Sequence, residues 1–461
     1  MSFIIYDVIF LILFTLITAL FLYTKRQNLK REGLLYLYRT SIGLKIIDWT
    51  SKKFSKILRP MQYLVVTSGY LLMGFMVWAL IKLSYVYLTS PTLARELKAP
   101  IIFPLIPYLP ELFKLDFLPP FYFTYWIIVI AIIAIPHEFA HGIFARLHNI
   151  KVHSTGFGFL GPFLAAFVEP DEKQVQKTKN FAQLSILASG TFANVLMTIL
   201  FGLVFWLFFA MAFTPAGVYF NAYATSPVNI SEVSFIDNVT LENLTLVKIV
   251  ANNQTYFTDQ IVINLSKSNA SFYILAYDDS PAFAALLSGA ITEINGQKIN
   301  SFDSLKESIQ SHSPGDEVIV KTLVGNRKKE VREYNITLSE KDGKAFLGIG
   351  IAPPQRSRLL GVFYDQIAKI SDPFIYYQSA WGDFGIFIKD LLWWIVLINI
   401  GVALTNMLPL GIFDGGRFFY ITVFALTKKQ KVAEKAFKIS TYTLLALVAV
   451  LMIKWFIVIF L

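Results

Sequence analysis

The segment Pro136-His137-Glu138-Phe139-Ala140-His141-Gly142 lies in a long apolar stretch and contains two of the five histidines in the chain. On a helix, residues four apart project from the same side, so His137 and His141 can bind one Zn²⁺ together. Glu138 follows the first histidine, where it can take a proton from water as a general base. A histidine pair could instead hydrogen-bond across a bundle, but ionisable groups in lipid are costly and usually functional. The pattern therefore favours a metal site.

Two imidazole nitrogens do not complete a catalytic zinc site, which takes three protein ligands and a water. A third histidine ten residues after the first is absent, because position 147 is leucine. The strongest candidate is Asp414, in a segment where Pro409 and Gly411 interrupt an apolar helix. An aspartate in such a break needs a strong partner, and a divalent metal is one. Two alternatives remain: Asp414 caps a short helix, or Glu169, Asp171 or Glu172 serves as the third ligand.

The composition excludes a single soluble globule, since 55% of the 461 residues are hydrophobic and only 16% are charged. There is no cysteine, so disulfides are excluded and metal ligands must be His, Asp or Glu. Six apolar stretches are long enough to cross a bilayer. They cover roughly residues 3–23, 61–88, 121–147, 181–213, 391–408 and 438–461.

The charge distribution predicts the orientation of these spans. The loop 24–60 carries 10 Lys+Arg against two acids, and a lysine cluster precedes the last span. Basic loops stay in the cytoplasm, so both lie there and the N-terminus lies outside. The net charge of +10 does not indicate nucleic acid, because residues 221–340 hold 9 Lys+Arg against 14 Asp+Glu. The basic excess belongs to the membrane part.

The segment 214–357 is polar, shows strand-like alternation and is predicted to lie outside the membrane on the extracytoplasmic side. Its second half, about 276–352, resembles a PDZ domain, whereas the pattern of 220–275 predicts only a β-rich insertion. N-x-[ST] sequons are more frequent here than chance predicts, which favours glycosylation. They lie at Asn229, Asn238, Asn243, Asn253, Asn264, Asn269 and Asn335.

The stretch 155–170 is apolar and rich in glycine but too short to span the bilayer. It predicts a re-entrant strand or hairpin, with a passive interfacial loop as the alternative. The fold class is thus a polytopic α-helical membrane protein with a re-entrant β element and an extracytoplasmic PDZ-like domain. The predicted regions are an N-terminal membrane region 1–120, a catalytic region 121–213, the domain 214–357 and a C-terminal membrane region 358–461.

These motifs together resemble the site-2 protease family of intramembrane zinc metalloproteases. The resemblance covers roughly residues 120–430 and rests on HExxH in one span, Asn-x-x-Pro-x-x-x-x-Asp-Gly from Asn406 in another, and a PDZ-like domain between them. It implies that His137, His141 and Asp414 bind one zinc ion and that Glu138 is the base. It also implies regulated intramembrane proteolysis of single-span membrane proteins that another protease has already shortened, with the PDZ-like domain restricting access.

The resemblance assigns further residues to the substrate. Asn194 ends a small-residue stretch of the fourth span and would contact the substrate or the developing oxyanion, and Asn406 belongs to the same group. Thr191-Phe192-Ala193 departs from the family, which more often has a proline there. Simple helix packing is the alternative for Asn194. Gly156 and Gly158 would lie on an edge strand that pairs with the unwound substrate.

Two rival functions belong to other classes. A non-proteolytic receptor or scaffold would use the PDZ-like domain and keep the histidines for structure, but it has no need of a general base. A metal-ion transporter would place His or acidic residues across several spans, and outside the motifs the spans hold little of either.

Overall fold

The computed structural model describes residues 3–33, 35–90, 106–113, 115, 118–160, 163–241, 244–260, 262–264, 272–325, 329–351 and 371–460. The sequons at Asn243 and Asn269 lie outside the described residues, as does much of the predicted outer loop after the second span. The helices are α1 Phe3–Thr24, α2 Leu44–Lys53, α3 Ser55–Thr89, α4 Leu109–Leu112, α5 Phe123–Leu147, α6 Glu172–Lys177, α7 Asn180–Ala212, α8 Pro281–Ala284, α9 Phe302–Gln310, α10 Gly382–Asn406, α11 Asp414–Thr427 and α12 Gln430–Phe460.

The strands fall in two parts of the chain. Four precede α7, namely β1 Leu29–Glu32, β2 Leu35–Thr40, β3 Val152–Leu160 and β4 Phe163–Pro170. The others lie between α7 and α10: β5 Phe213–Tyr219, β6 Ala222–Tyr223, β7 Thr225–Asn229, β8 Ser234–Leu241, β9 Leu244–Ala251, β10 Gln254–Thr258, β11 Tyr273–Asp278, β12 Ala290–Ile294, β13 Gln297–Lys298, β14 Glu317–Val324, β15 Glu330–Thr337, β16 Ser339–Lys341, β17 Lys344–Phe346, β18 Ile349–Gly350 and β19 Ile375–Ser379.

The six predicted membrane helices are confirmed. Six helices in the described part of the chain, α1, α3, α5, α7, α10 and α12, are long and apolar enough to cross a bilayer. The last two begin at Gly382 and Gln430, earlier than the predicted starts near 391 and 438. The sequence prediction stopped at charged residues, whereas the helical backbone continues past the apolar core. By internal contacts the chain divides into two units, Met1–Phe208 with Phe387–Leu461, and Phe209–Ile386.

The first unit contains a four-stranded antiparallel sheet with the order β1-β2-β3-β4. The predicted hairpin at 155–170 is confirmed as the β3–β4 pair. The basic loop supplies the other two strands, and β2 pairs with β3 from Tyr36 opposite Phe159 to Thr40 opposite Thr155. The prediction that Gly156 and Gly158 lie on an edge strand is therefore wrong, because β3 is paired on both sides and β4 forms the edge.

Packing explains the glycine at position 156. A Cβ atom there would lie 2.2 Å from the carbonyl oxygen of Tyr38 and 2.5 Å from the ring of Phe167, so no larger residue fits. At Gly158 the nearest atom, on Leu37, would be 3.4 Å away, an ordinary contact. Packing therefore accounts for the glycine at position 156 and not for the one at position 158.

Two charged residues inside membrane helices bind the ends of neighbouring helices. Asp7 of α1 is buried and accepts hydrogen bonds from the amides of Phe123 and Thr124 at 2.8 and 2.9 Å, and from the hydroxyl of Tyr108. The amides of Phe123 and Thr124 belong to the first turn of α5, where backbone N–H groups have no acceptor within their own helix. At the end of α3, Lys454 of α12 donates to the carbonyls of Tyr87 and Leu88 at 2.8 and 2.9 Å. Each charge matches the helix dipole that it faces.

The second unit is β-rich, as predicted. The insertion forms a five-stranded antiparallel sheet with the order β7-β11-β10-β9-β8, and a six-stranded sheet has the order β15-β14-β12-β5-β19 with β13 beside β12. Asn295 and Gly296 both have positive φ, as the two-residue hairpin turn between β12 and β13 requires. Of the described sequon residues, Asn238, Asn253, Asn264 and Asn335 are exposed and Asn229 is partly exposed.

Replacing Asp7 with Ala should destabilise the protein by about 1–3 kcal/mol, because two helix-end amides lose their acceptor. The apparent melting temperature in detergent would fall by a few degrees. Thr15→Ala is the matched control on α1, since among the described residues its hydroxyl bonds only to the carbonyl oxygen of Leu11 in the same helix. Equal melting temperatures for both variants would contradict the cap.

Candidate metal centre

Two helices bring three ligand atoms together. His137 and His141 lie one turn apart on α5, and their Nε2 atoms are 3.1 Å apart. Asp414 is the first residue of α11, and its Oδ2 lies 3.4 Å from each Nε2. In the described residues, this is the only group of three or more His, Cys, Asp or Glu residues close enough to hold one metal ion. The three predicted ligands therefore converge.

The distances fit a tetrahedral zinc ion. With zinc–ligand bonds of 2.0–2.1 Å, two ligand atoms of a tetrahedron lie about 3.3 Å apart. Two nitrogens and one oxygen at 3.1–3.4 Å from one another match three corners and leave the fourth open. An open position is what separates a catalytic zinc site from a structural one. The donor set and its spacing thus accommodate the metal that the motif predicts.

Hydrogen bonds behind the imidazoles direct their lone pairs to the same point. His141 Nδ1 donates to the carbonyl oxygen of Ile186 at 2.7 Å, which leaves the lone pair on Nε2. His137 Nδ1 lies 3.1 Å from the side-chain amide of Asn194. Among the described residues, the buried Oδ1 atom of Asn194 has no hydrogen-bond partner. When the amide oxygen and nitrogen of Asn194 exchange places, the oxygen accepts the proton of His137 Nδ1. Both rings then present Nε2 as a metal ligand.

Asn194 is fully buried on α7 and contacts the back of His137. This contact places Asn194 behind a candidate metal ligand, and its predicted contact with substrate stays a prediction. Asn406, the other predicted asparagine, ends α10 and is partly buried. Among the described residues, no hydrogen bond of its side chain is seen.

Gly190 on α7 was not singled out from the sequence. A Cβ atom there would lie 2.4 Å from His141 Nε2 and 2.6 Å from His137 Nε2, directly over the ligand atoms. A side chain would occupy the space beside the two Nε2 atoms where a metal ion would bind. The signal was available in part, because Ala188-Ser189-Gly190 is a run of small residues in a membrane helix.

The first turn of α11 packs so closely against the backbone of residues 407–410 that only glycine fits at positions 415 and 416. A Cβ atom on Gly415 would lie 2.3 Å from the backbone of Met407, and one on Gly416 would lie 2.2 Å from the carbonyl oxygen of Leu410. Phe413, rather than Asp414, occupies the N-cap position of α11. The capping alternative for Asp414 is therefore excluded, and its carboxylate is directed to the imidazoles.

Glu138 is held by the edge strand. Its Oε2 accepts a hydrogen bond from the amide of Val168 on β4 at 3.0 Å. Glu138, His141 and Asp414 line one open pocket of about 810 Å³. Arg417, one turn after Asp414 on α11, lines the same pocket and was not predicted from the sequence. The predicted general base, two of the three predicted metal ligands and residues of β4 therefore line the same pocket.

None of the alternative ligands Glu169, Asp171 and Glu172 belongs to the described group that could hold a metal ion, and two of them have other partners. Glu169 pairs with Arg39 at 2.8 Å, and His153 with Asp171 at 3.3 Å. His148 Nε2 lies 3.3 Å from the hydroxyl of Ser185, and burial together with the charge of Arg59 lowers the pKa of His148. His148 and His153 do not belong to the group of described residues that could hold a metal ion.

A sequence profile of peptidase family M50 matches residues 125–451. The chain is 26% identical over 412 residues to an uncharacterized protein of Methanocaldococcus jannaschii, and the match covers 88% of this chain and 83% of that protein. A short part is similar to the PDZ domain of the SdrC-like protein from Listeria innocua (35% identity, 17% of this chain and 89% of that chain, TM-score 0.15). It is also similar to the PDZ domain of the SdrC-like protein from Listeria monocytogenes (32% identity, 16% and 78%, TM-score 0.14).

Replacing Gly190 with Ser should abolish zinc binding while the protein still folds, because the side chain fills the metal position. Zinc content of the purified protein, measured by mass spectrometry, checks this. Gly202→Ser is the matched control on α7, where a Cβ atom meets nothing within 4 Å. Stoichiometric zinc in the Gly190 variant would refute the placement of the metal.

Proposed function

The chain belongs to peptidase family M50, a family of membrane metalloproteases, and on that premise we propose that it is a zinc-dependent intramembrane endopeptidase. The observation that carries the proposal is the convergence of His137, His141 and Asp414 at 3.1–3.4 Å beside Glu138. A receptor or scaffold does not need this set. A transporter needs ligands along several spans, and the described residues offer one cluster.

The three ligands hold the metal and Glu138 moves the proton. When bound, zinc supplies a Lewis acid that polarises the scissile carbonyl and activates a water molecule. Glu138 takes the proton from the attacking water and returns it to the leaving amine. The hydrogen bond from Val168 fixes one carboxylate oxygen, so the other remains available to the water. Asn194 and the carbonyl of Ile186 orient the imidazoles.

The substrate is a transmembrane segment that unwinds and pairs with the edge of β4. The amide of Val168 is directed to Glu138, away from β3. In an antiparallel strand alternate residues share this direction, so Ala166 and Leu164 present free backbone groups on the same side. An extended substrate added there would lie along the pocket that Glu138 and Asp414 line. This gives the edge-strand role to β4 instead of β3.

The remaining proposals concern the cellular setting. The basic loop 24–60 and the lysine cluster at 428–438 support an orientation with the active site toward the cytoplasm and with the N-terminus and the β-rich unit outside. The outer sequons are then accessible for glycosylation. Substrates are single-span membrane proteins that another protease has shortened, and the PDZ-like part restricts the entry of longer ones.

Replacing Glu138 with Gln should lower the cleavage rate of a purified single-span substrate by about 10²–10⁴-fold, because the general base is lost. Zinc content should remain at the wild-type level, since Glu138 is not a ligand. Glu434→Gln is the control for the chemical change, because Glu434 is exposed at the start of α12 and bonds to Gln430. Wild-type cleavage by the Glu138 variant would disprove the mechanism.

A further inference from the structure

We propose that the exposed face of α2 binds the anionic headgroups of the bilayer in which the protein lies. Helix α2 precedes the span α3 and lies outside the residues that the family profile matches. The proteolytic mechanism uses none of its side chains. The lipid site is therefore independent of the proposed function, and its test measures binding.

The two faces of α2 differ in their surroundings. Leu44, Ile47 and Ser51 recur at helical spacing and are directed inward, and Ile47 is fully buried. On the opposite face Ile46 and Trp49 are 55% and 54% exposed. Large apolar side chains on the outer face of a short basic helix are the pattern of a helix that lies in the membrane interface.

The outer face carries positive charge without acidic partners. Lys45, Lys52 and Lys53 of α2 and Lys56 of α3 are exposed, and in the described part of the chain none of them forms an ion pair. Lys53 Nζ lies 4.5 Å from the centre of the Trp49 ring. The acid of α2, Asp48, is bound to Arg146 at 2.7 Å. A surface of unpaired lysines around an exposed tryptophan is complementary to lipid phosphates.

The length of α3 places α2 at headgroup depth. Its 35 residues rise about 52 Å, whereas the hydrocarbon core is about 30 Å thick. No charged residue occurs from Met61 to Ile81, so the apolar part of α3 begins near Met61. The first turns, with Lys56 and Arg59, therefore lie outside the hydrocarbon. Only Phe54 separates α2 from α3, so α2 lies at the same depth, where tryptophan is enriched.

The inner face of α2 packs closely against α5, the helix that carries His137 and His141. A Cβ atom on Gly43 would lie 2.8 Å from the ring of Phe139, and one on Gly142 would lie 2.9 Å from Ile47 Cδ1. Phe139 and Gly142 belong to the segment that carries the two histidines. Because α2 packs directly against α5, lipid headgroups bound to α2 would also fix the depth of α5 in the membrane.

Native mass spectrometry of the full-length protein in detergent, titrated with phosphatidylglycerol, tests the site. The triple variant Lys45→Gln, Lys52→Gln, Lys53→Gln should bind this lipid on the order of 100-fold more weakly, at about a factor of five for each lysine. The matched control is Lys298→Gln, Lys306→Gln, Lys344→Gln, which removes the same charge from exposed positions of the β-rich unit. It should bind like the wild type. Equal loss, or no loss, in both variants would overturn the proposal.

A second measurement does not depend on the lysine variants. The fluorescence of Trp49, obtained as the wild-type signal minus that of Trp49→Phe in liposomes, should be quenched by phosphatidylglycerol brominated near the headgroup. If Trp49 is not quenched, α2 faces water. The partner of its basic face would then be an acidic protein and not lipid. That result would also overturn the proposal.

Discussion

Three ligand atoms from two distant parts of the chain lie within 3.4 Å of one another, and the surrounding membrane unit is built around that approach. Imidazoles and a carboxylate are costly in lipid unless a strong partner satisfies them. Their convergence requires helix backbones to come unusually close. Glycine makes this possible at Gly190, Gly415 and Gly416, where any side chain would collide with a ligand or with the backbone.

The N-terminal region, which the family profile does not cover, supports this centre from two sides. Asp7 binds the amides that open the catalytic helix α5. Farther along the chain, β2 pairs with β3, and α2 packs its buried Ile47 against Gly142 of α5. The first two spans and their basic loop therefore restrain both ends of the helix that carries the histidines. Zinc chemistry requires such rigidity, because the ligands must hold their geometry before the substrate arrives.

The sequence predicted those features of the fold and the site that are encoded by patterns within a single segment. HExxH, the six spans and the β3–β4 hairpin follow from periodicity and spacing within single segments, and the break around Asp414 marked a distant ligand. The contact between Asn194 and His137, the position of Gly190 over the imidazoles and the pairing of β2 with β3 depend on long-range packing. No spacing rule connects these residues. The edge-strand prediction failed for the same reason, since the partner of β3 comes from a loop more than a hundred residues earlier.

An anomalous-difference map from crystals of the zinc-loaded protein, measured at the zinc absorption edge, tests the central claim most directly. The account predicts one peak per chain, about 2.0–2.2 Å from Nε2 of both histidines and from a carboxylate oxygen of Asp414. A peak bonded to the imidazoles but about 4 Å or more from that carboxylate would contradict it. So would a zinc ion bound only at Glu169 and Asp171.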